Sequence, residues 1–447
     1  MNNRERAQNQ RGQILLFVTF AAIPMFAIIG LVTDLGYMQY VKKSTQAAAD
    51  AAARAAIIQF HDSNYGASYA CGGSVVCQAA PQFCDPAITV PANAVQNGCL
   101  YAKQNGFLHS ASQDVTYTAG ISSSPPTTVG LSSASYWVTF RVTQVVPQLF
   151  SAVAGNTSGM VTSRATAAVT GSRDCIYALN PNATGVSVGG TASLTSSCGL
   201  YVDSSSASAI STNGTATLSA PEYNVVGNVS THAPLNPTPN TGVSPAADPL
   251  AGLPAPSSAP YTCDYKNYSN GVPNGSNVTL SPGVYCGGIN VKNNLYTLNP
   301  GTYILVGGGL TTQDSNSSIA GSGVTFYNTF GATDKGNQAY SPINIAANST
   351  VNLTAPNSGT YTGILFFDDR SAPAGNPDNY GGGSSAVYQG AIYNKNNGIT
   401  MYGNSSVSAA YTIIVANTIS MVGTSGLNDN YAGLTGGSPI KQVSLVE

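Results

Sequence analysis

Hydrophobic and polar positions change their period twice along this chain. From Ile14 to Val32 the run ILLFVTFAAIPMFAIIGLV is without charge. As a helix its nineteen residues would rise about 28 Å, enough to cross a bilayer. From Tyr37 to Gln59 there is no Pro or Gly, and alanine dominates, so the same helix is predicted to continue as a polar and small-residue rod. Ala47, Ala51 and Ala55 recur at four, with Ala48 and Ala52 beside them, while Lys42, Lys43, Gln46, Asp50 and Arg54 form a wetter side. Asp50 and Arg54 are also spaced to pair. Further on the period falls to two. YWVTFRVTQV, Tyr136 to Val145, alternates as a half-buried strand does, and Val115 to Ala119 and GMVTSRATAAVTG read the same way. Val90 to Asn105 is predicted to be a short helix with Pro91 in its first turn, and VPQLFSAVAG a helix start and stop.

The second half repeats itself. VSVGGTASL at Val186 returns as ISTNGTATL at Ile210, placing Gly190 over Gly214 and Leu194 over Leu218. LSPGVYCGG at Leu280 returns as LNPGTYILV at Leu298, and GITMYGN at Gly398 as TISMVGT at Thr418. Offsets of about 18 to 24 residues match one rung of a β-solenoid. Further strands are predicted at Val324 to Tyr327, Ile343 to Ile345, Ile364 to Phe367, Ala391 to Tyr393 and Thr412 to Val415. A β-sandwich is the rival arrangement, disfavoured by the near-constant offset and the scarcity of Asn-Gly hairpin turns. The prolines of 233–260 forbid regular strands and make an extended excursion that interrupts the solenoid.

Composition narrows the function classes. Only 8% of the 447 residues are charged, the net charge is -2, and 48 Gly and 25 Pro accompany many hydroxyl and amide side chains. Such a chain offers no basic field for nucleic acid. Arg4, Arg6 and Arg11 precede the apolar run, so the positive-inside rule keeps the N-terminus cytoplasmic and sends the bulk to the periplasm or beyond. A cleaved signal peptide competes with the retained anchor, but its apolar core is usually shorter and ends in a small-residue cleavage site. The eight cysteines lack zinc-knuckle spacing and are even in number, which favours disulfides and an oxidising compartment. Cys175 and Cys198 lie one rung apart, as do Cys263 and Cys286, so each pair is placed to staple neighbouring rungs. Cys71, Cys77, Cys84 and Cys99 allow three pairings.

RGQILLFVTFAAIPMFAIIGLVTDLGYMQYVKKSTQAAADAAARAA, Arg11 to Ala56, resembles the N-terminal segment of the TadE/TadG-like proteins of tight-adherence (Flp) pilus assembly. The resemblance rests on Arg11, Gly12, Gln13, Asp34, Gly36, Gln46, Asp50 and the alanines around it. Processed, pilin-like members carry a Glu soon after the Gly; Gln13 to Phe20 hold no acid, so the unprocessed, TadG-like end of the family fits better. The resemblance implies a membrane-anchored assembly protein whose partners are other pilus-assembly proteins or pilin-like helices, and a pilin-like plan for the module that follows.

The fold expected is therefore mainly β: cytoplasmic residues 1–13, a transmembrane helix at 14–33, its Ala-rich extension at 34–59, a small α/β pilin-like module at 60–171, and a parallel β-helix or β-solenoid at 172–447. No cofactor, metal or catalytic group is assigned. FFDDR, Phe366 to Arg370, carries the paired acids that a β-helix glycosidase would use; its plainer reading is a strand end and a charged loop. DSSSA at Asp203 is compared with the D-x-S-x-S metal motif and lacks its last hydroxyl at Ala207. The function expected is structural, in pilus assembly or surface attachment, with surface glycans as a further contact. An enzyme or binding module acting on envelope polysaccharide is the alternative.

Overall fold

The computed structural model describes residues 3–63, 69–121, 134–267, 272–381, 386–402, 406–408, 412–423, 426–429 and 438–446. The chain divides into two compact units. In the first, helix α1 (Asn3–Ser63) is continuous through the apolar run and the alanine rod. Most side chains of Ile14–Val32 lie outside the described ones. Among the described residues no helix is long and apolar enough to cross a membrane.

An antiparallel sheet of β1 (Gln78–Phe83), β2 (Gln113–Gly120), β3 (Ala134–Pro147) and β4 (Ser158–Gly171) packs against α1, and the C-terminal strand Lys441–Leu445 lies beside β4. Small side chains decide the contact. Ala48, Ala49, Ala52, Ala53 and Ala56 are buried together with Ala165 and Ala167, and Phe60 stacks on Tyr136 with ring centroids 3.7 Å apart. The packing stripe is thus rotated from the one predicted. Ala47 is exposed, and Ala51 and Ala55 are only half-buried. Helix α2 (Ala94–Gln104) begins four residues later than expected because Asn93 takes the N-cap. Its Oδ1 accepts from the Gln96 amide at 2.9 Å, while Gln96 Oε1 accepts from the Ala92 amide at 2.7 Å. That reciprocal pair satisfies donors that a helix start leaves open. VPQLFSAVAG resolves into the end of β3 and one 3-10 turn, Ser151–Ala154, closed by Gly155 in the left-handed region.

The second unit holds parallel strands in large sheets, a solenoid-like arrangement. Val186 pairs with Ile210 and Leu194 with Leu218, the 24-residue offset of the repeats. At the same corner Gly190 and Gly214 both have φ +70°, and a Cβ on Gly214 would lie 2.7 Å from the Gly190 carbonyl. Glycine is required there both for the turn and for the rung spacing. Leu280 pairs with Leu298 at 18 residues and Ile399 with Ile419 at 20. Aromatic rings line the interior in a stack, Tyr265, Tyr285, Tyr303, Phe326 and Phe366, with successive centroids 4.5, 5.8, 5.6 and 5.2 Å apart.

The winding order holds a surprise. Asp174–Ala178, Gly199–Val202, Tyr223–Val225 and Asn240–Thr241 stack in one direction; the chain then resumes at the far end, at Tyr265–Lys266, and winds back. Its strand Thr412–Ala416 pairs with Asp174–Ala178, Ile414 against Ile176, so the last rungs close on the first. The proline-rich segment, expected to hold no strand, first adds the short strand Asn240–Thr241 to the stack, and its remainder makes the long passage between the two ends. The coil core is one contiguous apolar cluster, and Leu250 and Leu253 of the passage are buried in it.

Candidate functional site

Two sets of side chains concentrate the chemistry of this chain, one on α1 and one in the coil. On α1, Asp34 is 6% exposed and receives a convergent set of donors from the segment after β3. The Leu149 amide donates to Oδ1 at 3.1 Å, the Phe150 amide to Oδ2 at 3.1 Å, and the Ser151 amide and hydroxyl to Oδ2 at 2.8 Å each. The Ser151 amide above all, with the other donors, holds the Asp34 carboxyl below its usual range. Asp34 therefore ties the entry of the 3-10 turn to the helix. Phe150 follows it down: a Cβ on Gly30 would lie 2.5 Å from the Phe150 Cβ, so only glycine permits this approach.

About three turns further on, Gln46 Nε2 donates to Asp50 Oδ1 at 2.8 Å and to the Arg164 carbonyl at 3.1 Å, joining α1 to β4. Asp50 is thus engaged by Gln46. Thr45 and Ser163 share a buried hydroxyl bond at 2.7 Å. Gly36 has open space where a side chain would stand. The side chains of Arg11, Gly12 and Gln13 lie outside the described ones. Sequence reasoning missed Ser151; its signal was the VPQLF segment itself, whose loop backbone supplies the donors.

In the coil, the residues of FFDDR separate. Asp368 is 1% exposed and points inward. Its Oδ2 accepts from the Tyr340 hydroxyl and from Asn394 Nδ2 at 2.9 Å, and the same Nδ2 donates to Asp378 Oδ2 at 2.9 Å. The Ile343 amide donates to Asp378 Oδ1 at 2.9 Å. Burial pushes the Asp378 carboxyl up to about 7; burial and the neighbouring Asp378 charge push Asp368 well above the carboxylate range. Of the two, Asp368 is the one whose neutral form the site favours more. A proton there makes a donor of Oδ1, which is otherwise buried without a partner, as Asn328 Oδ1 is.

Asp369 turns outward and accepts from the Ser371 amide at 2.8 Å and from the Thr329 hydroxyl at 2.7 Å. Arg370 grips the proline-rich segment, its Nη2 donating to the carbonyls of Leu250 at 2.6 Å and Leu253 at 2.8 Å, over the rings of Phe367 and Tyr393. Asp248 of that segment accepts from the Tyr393 hydroxyl at 2.6 Å, and the Pro254 carbonyl from the Tyr361 hydroxyl at 3.1 Å. On the other side of the closing seam, Asp203 Oδ1 accepts from the Ala246 amide at 2.8 Å and the Tyr201 hydroxyl donates to the Ser244 carbonyl at 2.7 Å. The acids of both sequence motifs therefore hold the coil and its strap. Among the described residues no cluster of His, Cys, Asp or Glu is arranged to ligate a metal.

All eight cysteines are bonded: Cys71 to Cys77, Cys84 to Cys99, Cys175 to Cys198 and Cys263 to Cys286, with Cα separations of 5.5 to 5.7 Å. The last two bonds join neighbouring rungs on either side of the strap. No curated protein matches this chain, and no solved structure does. The Asp34 and Gln46 anchors both fall in one stretch, residues 12–68, which matches the family described as putative Flp pilus-assembly TadE/G-like.

Proposed function

We propose that the chain is a membrane-anchored, extracytoplasmic structural protein of tight-adherence pilus assembly or surface attachment. The observation that carries this reading is the division of labour on α1 within the matched segment. One face, Ala48, Ala49, Ala52, Ala53, Ala56 and Phe60, is consumed by its own unit. The adjoining stripe is left partly open, with Ala47 and the 44% exposed Ile58 at the surface and Ala51 and Ala55 half-buried beside α2, and its small residues let a second helix approach closely. The apolar run Ile14–Val32 is the membrane span in this reading, with the N-terminus cytoplasmic. Four disulfides accord with an oxidising compartment outside that membrane. The coil is then a stiff, weakly charged projection whose amide and hydroxyl surface is available to neutral glycans.

The enzymatic alternative needs two acids at a substrate groove. Asp368 buried in an amide-bonded pair, and Arg370 occupied by the strap, favour the structural reading. The test is in-cell photocrosslinking from a benzophenone amino acid at Ala47. A product containing another pilus-assembly protein, identified by mass spectrometry, is expected. Adducts that never include one would overturn the assembly role.

A further inference from the structure

The segment that Asp34 ties down presents its apolar side chains to the outside. Leu149 is 72% exposed and Met160, near the start of β4, 69%. On α1 the stretch around the Gly30 and Asp34 contacts also exposes Leu31, Val32 and Leu35, and a soluble surface seldom exposes so many large apolar side chains at one level. The register along α1 says what covers them. Phe150 packs against Gly30, which precedes Thr33 by three residues, or about 4.5 Å of helix. The loop therefore reaches the depth of the last turn of the apolar run.

Above it the helix changes character in the order of a bilayer interface. Exposed Tyr37 and Tyr40 stack with centroids 6.4 Å apart, and exposed Lys42 and Lys43 follow. Aromatic side chains favour the headgroup level, and lysines reach anionic phosphates from just outside it. Asp34 lies between the apolar turn and these groups, where a bare carboxylate would be costly; the loop amides cover it.

We propose that the Leu149–Phe150 loop, with Met160, is a second membrane contact, lying in the outer interface of the bilayer that α1 enters. This rests on the reading of Ile14–Val32 as a membrane span, so the experiment separates the two. Trp137 is the single tryptophan and is replaced by Phe, giving a silent background. Into the full chain are placed, one at a time, Phe20→Trp in the apolar run, Leu149→Trp, Met160→Trp, and Leu295→Trp in the coil as a control. Each is reconstituted in phosphatidylcholine–phosphatidylglycerol vesicles with or without bromine on the acyl chains.

Interfacial side chains sink about 5–10 Å into the headgroup boundary, so brominated lipid is expected to remove roughly half the emission of Leu149→Trp and of Met160→Trp, and to leave Leu295→Trp unchanged. Quenching of Phe20→Trp with none at either loop position overturns the loop contact and leaves the span standing. A loop emission shifted to the blue but unquenched also overturns it, because protein then covers the loop. Absence of quenching at Phe20→Trp overturns the span and the loop contact together.

Discussion

The two units of this chain handle buried acids in opposite ways. In the helix-and-sheet unit, Asp34 is surrounded by amide donors from a single turn, so its charge is an asset to the folded state. In the coil, Asp368 and Asp378 share one amide donor within an apolar stack, and their neutral forms suit the site. The difference follows from how backbone groups are spent. A helix-terminal turn has several free N–H groups to give a carboxylate, whereas parallel rungs use most of theirs on each other and only the Ile343 amide reaches Asp378. The acids inside this coil therefore lean mainly on side-chain partners, Tyr340 and Asn394 for Asp368 and Asn394 and Tyr380 for Asp378.

The largest effect that would break this comparison comes from the core of the coil alone. Phe366→Ala opens a cavity in the aromatic stack and is expected to destabilise the coil by about 3–5 kcal/mol. Differential unfolding followed by hydrogen exchange should show lost protection at Val324–Thr329 and Val387–Asn394 with α1 and β3 unchanged.

Next in size is the dependence on pH, which differs in sign between the units. Asp378 and Asp368 are raised in the folded coil, as is Asp174, pushed by burial up to about 6. These three acids thus bind more protons in the folded coil than in the unfolded chain above about pH 4, and the stability they contribute falls as pH rises through about 7. Asp369 and Asp334 of the coil are lowered and act in the other sense. Asp34 is lowered, so its contribution is present above about pH 4 and is lost on acidification. Thermal unfolding between pH 5 and 8 should lower the coil's Tm, by roughly 2–4 °C for each kcal/mol lost. Asp368→Asn should flatten that slope; an unchanged slope would mean that the pair is not its source.

The smallest effect sharpens the other side. Asp34→Asn keeps the shape and removes the charge, so amide exchange at Leu149, Phe150 and Ser151 is expected to quicken about tenfold, as for the loss of one charge-assisted bond, while the coil's unfolding stays put.

Much of the coil was legible because its contacts repeat at a fixed distance along the chain. Gly190 over Gly214 and Leu194 over Leu218 could be read from nine-residue matches. The closure of Thr412–Ala416 on Asp174–Ala178 could not, since nothing local records a pairing of strands more than two hundred residues apart. The strap was visible as a run of prolines, but not its grip, because Arg370 and Asp203 find their partners only after the coil has wound. On α1 the alanine pattern offered two adjoining stripes of equal helix propensity. Which one packs was decided by β3, β4 and α2, and it is the stripe through Ala48 and Ala52. Asp34 stood out as an acid after an apolar run, while its donors lay 115 to 117 residues away.

The central claim is that the open face of α1 couples this chain to pilus assembly. Its most direct test uses cells lacking the chain, complemented with wild type or with Ala47→Arg combined with Ile58→Arg, two exposed positions. Surface pili are counted by electron microscopy at matched envelope levels of the protein. The account predicts that wild type restores pili and the double variant does not; full restoration by the variant would contradict it.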